Sequence, residues 1–268
     1  MRSAVNLPGA TPGAWRPAAA VVGLSAVPAL GSLCGALLVS QARRAHRALR
    51  PYTVAFPADG TIGLPGGRPV RVVWLGDSLA AGLGVDVVDD TPARTVARML
   101  ERAVELRVLA VPGATSTDVL HQQVPALGEG ADLVVLCVGA NDVARMKSRR
   151  AYARNVGAIV AATAPVPTIV LSLPAMAMAD RIPEPLRSLC GVRARWFERA
   201  RVRALRAYPH AMSVDIASRP AHISRRAARA MLSADRFHPG ADVYRLWAER
   251  IAEAGHRVLS MPAATVSS

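Results

Sequence analysis

The feature that most constrains the fold is an alternation of short, fully apolar runs with longer segments of helical periodicity. Five runs rich in β-branched residues are predicted strands, at 71–75, 106–111, 132–138, 167–173 and 212–217. Helices are predicted over 91–105, with Thr91 as N-cap, 148–164 and 193–207, and after Pro239. Strands that are apolar on both faces and separated by helices predict a central parallel sheet in a three-layer α/β/α sandwich.

Polar residues and glycines follow several of the predicted strands. In a parallel sheet of this kind, ligands bind beyond the carboxyl ends of the strands. Ser78 follows the first strand, Gly113 the second and Asn141 the third, and Asp235 comes three residues before His238 near the C-terminus. Each residue alone is explained by a cap, a turn or an exposed surface. A cap, a turn or an exposed surface does not explain why all of them occur together, in this order, at element boundaries.

Four short stretches carry these residues: GDSL at 76–79, PGATS at 112–116, GAND at 139–142 and DRFH at 235–238. With all four in this order, the chain from Arg71 to about Ala254 resembles the SGNH hydrolases, also called the GDSL esterase and lipase family. The resemblance implies a flavodoxin-like SGNH hydrolase fold. It also implies a serine esterase or lipase that cleaves acyl esters through an acyl-enzyme.

The resemblance implies a role for each matched residue. Ser78 would be the nucleophile, His238 its general base and then general acid, and Asp235 the group that orients the imidazole. The backbone amides of Ser78 and Gly113 and the side chain of Asn141 would form the oxyanion hole. The residue types suit acyl transfer, because a serine hydroxyl needs a base and a developing oxyanion needs neutral donors. Asp77 and Asp142 are expected to brace their turns.

The N-terminal residues are predicted to be a separate unit. From Pro17 to Ala42 no residue is charged, and about 20 apolar residues suffice for a membrane helix. Arginines crowd the C-terminal side of this segment, at positions 43, 44, 47 and 50. That asymmetry favours a single N-terminal membrane anchor with the following domain in the cytoplasm, and a secreted protein with a cleaved signal is the alternative.

The predicted organisation has four parts. Residues 1–50 form the anchor with its basic flank, 51–69 a linker rich in Pro and Gly, 70–262 the esterase-type domain and 263–268 a tail. The long connection at 173–191 follows a strand and contains Met176, Met178 and Ile182 near the expected active edge. It is predicted to line an acyl pocket or form a partial lid, and packing over the sheet explains it equally well.

Composition narrows the set of partners. The formal net charge is +14, but the basic residues are scattered and only 4% of residues are aromatic, which disfavours nucleic-acid binding. The three cysteines show neither CxxC spacing nor a neighbouring histidine at zinc-ligand spacing, so no disulfide framework, metal or other cofactor is expected. The expected partners are a small-molecule or lipid ester, such as a lysophospholipid, and the membrane.

The sequence is also compatible with other functions. The same scaffold supports acyl transfer to another acceptor and deacetylation, and no residue in the sequence chooses among them. A membrane-tethered, flavodoxin-like binding protein is a further alternative, although an acidic Asp77 after the first strand argues against a phosphate-binding loop there.

Overall fold

The computed structural model describes residues 35–44, 47, 56–63 and 66–260. The strands are β1 (Gly60–Ile62), β2 (Val70–Gly76), β3 (Val104–Val108), β4 (Leu133–Cys137), β5 (Thr168–Leu171) and β6 (Ala211–Val214). The helices are α1 (residues 35–44), α2 (Pro92–Met99), α3 (Ser116–Asp118), α4 (Ala140–Ala144), α5 (Arg149–Thr163), α6 (Leu186–Leu205), α7 (Arg225–Ala230) and α8 (Ala241–Ser260). A single π-helical turn, Val119–Gln123, continues α3.

The six strands form one sheet in the order β1-β3-β2-β4-β5-β6. Five strands are parallel, whereas β1 pairs antiparallel with β3 at the edge. The sheet is therefore mixed, and the expectation of a wholly parallel sheet is corrected at this edge. β1 lies within the segment predicted as linker and has only three residues, which is too short for a strand pattern to be recognised in the sequence.

The chain order of the five parallel strands decides where a ligand can bind. From β2 the chain crosses to β3 on one side and then returns to β4 on the other side of β2. This reversal opens a crevice at the carboxyl ends of β2 and β4, which is where doubly wound sheets bind their ligands. The segments after β2 and β4 contain Ser78 and Asn141.

Alternating side chains of β2 enter two separate cores. Trp74 packs on one face of the sheet with residues of α2 and α8, including Val96 and Ile251. Leu75 packs on the opposite face with residues of α5 and α6, including Tyr152 and Phe197. Because strand side chains alternate between faces, two helical layers require a strand that is apolar throughout.

Two helix boundaries differ from the sequence prediction. α2 ends at Met99 rather than continuing to 105, because the chain turns at Glu101 (φ +54°) and enters β3. α6 begins at Leu186, earlier than the predicted 193. Thr91 is the N-cap residue of α2, but its hydroxyl donates to the carbonyl of Val88 (2.7 Å) instead of accepting from the helix.

The predicted membrane segment falls largely outside the described residues. Only residues 35–42 of the Pro17–Ala42 stretch are described, within α1. Among the helices of residues 35–44 and 66–260, none combines the length and the apolar character needed to cross a bilayer.

Candidate active site

Ser78 lies in the turn that directly follows β2. The ladder between β2 and β4 continues one residue past Gly76, where the amide of Asp77 donates to the carbonyl of Cys137 (3.1 Å). The chain then enters a helical turn, with the Leu83 amide donating to the Ser78 carbonyl (2.9 Å). This change from strand to turn places the Ser78 hydroxyl at the carboxyl edge of the sheet.

Gly76 makes that turn sterically accessible. Its φ of +148° lies in a region that favours glycine, and a Cβ at this position would approach the Cys137 carbonyl oxygen to 2.0 Å. The buried side chain of Gln123 holds the same residue from the other side. It accepts from the Gly76 amide (2.7 Å) and donates to the Gly76 carbonyl (2.8 Å), which fixes the end of β2.

Asp235 and His238 share one tight loop between α7 and α8. One oxygen of Asp235, Oδ1, accepts from the hydroxyl of Ser233 (2.6 Å) and from the amides of Phe237 (2.7 Å) and His238 (2.8 Å). These bonds to residues two and three positions later form an Asx-type turn. The turn leaves the second oxygen, Oδ2, beside the imidazole.

Ser78, His238 and Asp235 form a continuous hydrogen-bonded chain. His238 Nδ1 donates to Asp235 Oδ2 at 2.5 Å, and the Ser78 hydroxyl donates to His238 Nε2 at 3.1 Å. The imidazole carries its proton on Nδ1 because Asp235 is ionised. Burial alone would raise the pKa of this carboxyl, but hydrogen bonds from His238 and Ser233 outweigh burial and lower the pKa well below its usual range. An ionised carboxylate only accepts, so Nε2 is the nitrogen that accepts from serine.

Asn141 is the second residue of α4 and lines the same cavity as Ser78. Its Nδ2 donates to the carbonyl of Ala114 (3.1 Å) and makes a longer contact with Asp77 Oδ2 (3.4 Å). A bond of 3.4 Å is long for N–H···O, so this N–H can be redirected to a bound oxyanion at little cost.

Gly113 lies after β3 with φ +83°, next to the Ala114 carbonyl that holds Asn141. It makes no hydrogen bond to Ser78 or His238, and it does not line the cavity. The backbone N–H groups of Ser78 and Gly113 donate to no acceptor within the described part of the chain. They are therefore available as donors.

Two buried carboxylates hold the segments around the site: Asp77 braces its own turn, as the sequence predicts, whereas Asp142 connects α4 to the start of α3. Asp77 Oδ1 accepts from the Leu79 amide (3.0 Å), and Asp142 accepts from the amide and hydroxyl of Ser116 (2.8 and 2.6 Å). Burial, with the charge of Asp142 adding to it, raises the pKa of Asp77 to about 7. Burial also raises the pKa of Asp142.

A cavity of about 330 Å³ opens at Ser78. Its lining is mostly apolar and comes from α4, from the segments after β5 and β6, from α7 and from one face of α8. Met176 and Met178 line it, as predicted for an acyl pocket, whereas Ile182 is buried and does not. Three arginines, Arg219, Arg225 and Arg250, also line it.

Asp180 connects one wall of this cavity to the loop that contains Asp235 and His238. Its carboxylate pairs with Arg187 (2.8 Å) on α6, with Arg229 (3.3 Å) on α7 and with Arg236 (3.5 Å) between Asp235 and His238. The wall residue Met178 lies two positions before it. The wall and the loop are thus joined by charge as well as by packing.

The geometry places a serine hydroxyl, an imidazole, a carboxylate and hydrogen-bond donors beside a mostly apolar cavity. Within the described ranges, no group of three or more His, Cys, Asp or Glu side chains could hold a metal ion. The family model of GDSL-like lipases and acylhydrolases matches residues 74–246, more than half of the chain.

The chain belongs to this GDSL-like lipase/acylhydrolase family.

A curated relative is also a GDSL protein. The chain is 29% identical over 232 residues to a GDSL-like esterase, Rv1075c, of Mycobacterium tuberculosis, with 80% of this chain and 74% of the relative covered. Membership of the GDSL family supports ester hydrolysis as the activity.

Solved structures share the fold at low identity. The psychrotrophic esterase EstA from Pseudoalteromonas sp. has a TM-score of 0.55 and 18% identity over 71% of this chain and 99% of its own. The M. smegmatis aryl esterase, solved with an inhibitor, has a TM-score of 0.55 and 15% identity over 70% and 99%. The chain therefore shares its fold with these two esterases.

Several features of this GDSL site were not found in the sequence. The arginines of the cavity come from three separate segments, so no spacing pattern connects them. Gln123, which clamps Gly76, lies 47 residues away from it. The bond from Ser233 to Asp235 could have been predicted from the two-residue spacing, because short polar side chains in tight turns bond to nearby groups.

Proposed function

We propose that this protein is a serine esterase that hydrolyses carboxylic esters through an acyl-enzyme, with Ser78, His238 and Asp235 as the catalytic residues. The observation that carries the proposal is the hydrogen-bonded chain from the Ser78 hydroxyl through His238 to Asp235, which opens onto an apolar cavity. A serine hydroxyl becomes a useful nucleophile when a positioned base takes its proton.

Acylation follows from this arrangement. As Ser78 Oγ attacks the ester carbonyl, its proton passes to His238 Nε2, and the negative charge moves to the former carbonyl oxygen. Donors for that oxyanion are the amides of Ser78 and Gly113 and the side chain of Asn141. Collapse of the tetrahedral intermediate breaks the bond to the alcohol, which leaves with the proton from His238.

Deacylation reverses the roles. A water molecule gives a proton to His238 Nε2 and attacks the acyl carbonyl, and the carboxylic acid is released as Ser78 recovers its proton. In both steps Asp235 faces the imidazolium that forms, and a carboxylate that is ionised before the reaction stabilises that cation without proton transfer.

The cavity supports an apolar acyl group as part of the substrate. Met176 and Met178 line it together with Ile216 and Leu246, and flexible methionines adapt to apolar groups of different shape. Lipid esters such as lysophospholipids meet this requirement. We expect Met178→Ala to shift the preferred acyl length in a series of chromogenic esters, and an unchanged preference would contradict a role for this wall in substrate selection.

The N-terminal segment would bring the enzyme to such substrates. The uncharged stretch from Pro17 to Ala42 and the arginines after it support a membrane anchor with the catalytic domain in the cytoplasm. We expect the full-length chain to stay in the membrane pellet after alkaline carbonate extraction of cells. Release into the supernatant, or cleavage of the segment seen by intact mass, would contradict this proposal.

The test of the proposed activity is hydrolysis of a chain-length series of 4-nitrophenyl acyl esters by the full-length protein and by Ser78→Ala. We expect activity that rests on Ser78 and falls by several orders of magnitude in the variant. Ser218→Ala is the matched control, because Ser218 lines the same cavity without a histidine partner. Equal rates in the wild type and Ser78→Ala, with both proteins folded by circular dichroism, would overturn the proposal.

A further inference from the structure

The cavity that opens at Ser78 contains three arginines and no acidic side chain. Arg219, Arg225 and Arg250 line it, and every other lining residue is uncharged. Within residues 66–260, none of the three forms an ion pair with a carboxylate within 4 Å. The cavity is thus apolar with an uncompensated positive charge.

Arginine is common in this chain, so an arginine in the cavity is informative only if it differs from other arginines of the same helix. α8 contains three arginines. Arg245 pairs with Asp242 (3.2 Å) and Arg257 with Glu253 (3.7 Å), each acid lying three or four residues earlier on the same helix. At the same offsets from Arg250 stand Leu246 and Trp247, which themselves line the cavity. Of the three, only Arg250 has no acid at these earlier positions, and Glu253, three residues after it, pairs with Arg257 instead.

The positive charge lies away from the nucleophile. Adjacent strands are about 4.8 Å apart. Because the order is β2-β4-β5-β6, the end of β6 lies about 14 Å from the end of β2. Arg219 follows β6, whereas Ser78 follows β2. Along α8, Arg250 comes seven residues after the lining residue Val243, about 10 Å further from His238.

Arg250 is held in place without being neutralised. Its Nη1 donates to the backbone carbonyl of Asp215 at 2.8 Å. Oδ1 of the Asp215 carboxylate accepts from Ala217 N (2.8 Å) in its own loop and from Ser172 Oγ (3.1 Å), directly after β5. The guanidinium has five N–H donors, so most of them remain for a ligand.

We propose that this cavity selects esters that carry an anionic group, a carboxylate or a phosphate, about 10–14 Å from the scissile carbonyl. The inference rests on the proposed esterase function and names its substrate class. The apolar lining between Ser78 and the arginines accepts a hydrocarbon segment, and the guanidinium groups accept the anion at its far end, since the planar fork of arginine matches both kinds of anionic oxygen.

The test compares matched pairs of esters with the full-length enzyme. The first pair is 4-nitrophenyl decanoate and the mono-4-nitrophenyl ester of decanedioic acid, which differ only in a terminal carboxylate. The second pair is the 4-nitrophenyl ester of 8-hydroxyoctanoic acid and the 8-phosphate of the same ester, which differ only in a terminal phosphate. We expect the anionic member of at least one pair to have about tenfold or higher kcat/KM, and the pair that shows it identifies the anion.

Charge-removing variants locate the effect. Arg250→Gln should bring the ratio of kcat/KM within the preferred pair close to one, and Arg219→Gln and Arg225→Gln, at exposed positions that tolerate substitution, should each lower it. Arg245→Gln, on the same helix outside the cavity, should leave the ratio unchanged. If Arg250→Gln does not fold, the two exposed variants still decide.

The outcomes separate the two proposals. Hydrolysis of the neutral esters with no preference for either anionic partner overturns the inference and leaves the esterase function standing. A preference that survives removal of all three arginines also overturns it. Absence of Ser78-dependent hydrolysis of every ester overturns the proposed function, and the inference with it.

Discussion

A single carboxylate shows how much local sequence decides at this site. Asp235 uses one oxygen to close a turn on the amides of residues 237 and 238 and the other to accept from His238 Nδ1. A spacing of three residues is what lets both bonds form at once. The pair was therefore visible in the sequence as DRFH, although neither residue alone carried the information.

Other residue-level features depended on distant contacts. The sequence indicates that Asp77 braces its turn, but its raised pKa results from burial in the folded chain, and the charge of Asp142 on a distant segment adds to it. The arginines of the cavity are a stronger example, because Arg219 and Arg250 come to line the same cavity only when α8 packs against β6. Neither property follows from spacing along the chain.

The side chain of Asn141 provides a prediction at the residue scale. Asn141→Ala removes a donor that we assign to the transition state, so kcat for ester hydrolysis should fall about 10²- to 10³-fold with little change in KM. Asn155→Ala is the control, since that amide donates to Ser116 and Thr117 instead. A raised KM with unchanged kcat would contradict the assignment.

The residues of the site lie at the ends of strands and helices, so the bounds of these elements determine where the site forms. The apolar runs predicted five of the six strands because buried parallel strands leave a continuous hydrophobic signal. They could not reveal β1, whose three residues contribute one buried side chain, Ile62. The early start of α6 was equally invisible, because its first turn lies in a segment that resembles a loop in composition.

The turn after β2 packs closely against the catalytic loop, which contains Asp235 and His238, and this packing can be tested by substitution. A Cβ at Gly84 (φ +106°) would lie 2.3 Å from the Pro239 carbonyl oxygen and 2.8 Å from His238 Cβ. Gly84→Ala should therefore displace His238, lowering kcat and costing about 1–3 kcal/mol of stability by overpacking.

Gly67→Ala is the matched control for that substitution. Gly67 also has a positive φ (+68°), but a Cβ there would have no atom within 4 Å. It should show the backbone strain alone, with a smaller fall in melting temperature and unchanged kcat. If the two variants had the same melting temperature and activity, the packing of this turn against the catalytic loop would not matter for His238.

At the scale of the whole molecule, the central sheet can be predicted from the sequence, whereas the shape and charge of the cavity cannot. Order along the chain fixes the switch point at β2 and β4, and hence the location of the site. The cavity takes its walls from parts of the chain that are far apart in sequence, so its shape and charge emerge only when the fold is assembled. The hydrophobic segment at Pro17–Ala42 stays a prediction.

Buried Asp77 makes the stability of the whole domain depend on pH. Its pKa rises from 3.8 to about 7 on folding, so between these values the folded state binds more protons than the unfolded state. The free energy of unfolding should therefore fall as pH increases from about 4 to about 7. The lowered pKa of Asp235 acts in the opposite sense, but below about pH 4.

Asp77→Asn should reduce this pH dependence. Urea unfolding at pH 5 and pH 8 should show a smaller loss of stability between the two pH values in the variant than in the wild type, by up to a few kcal/mol. Asp86→Asn, at an exposed position, is the control and should behave as the wild type. The same loss in all three proteins would mean that Asp77 keeps its charge at pH 5.

Covalent trapping of the nucleophile tests whether Ser78 is the reactive residue of this site. An alkyl 4-nitrophenyl phosphonate should add one phosphonyl group per chain, release one 4-nitrophenol and map to Ser78 by peptide mass spectrometry. The reaction should be absent in Ser78→Ala, strongly slowed in His238→Ala and retained in Ser218→Ala, whose hydroxyl is lost from the same cavity. An adduct on any other residue, or labelling of Ser78→Ala at the wild-type rate, would contradict a serine esterase built on Ser78, His238 and Asp235.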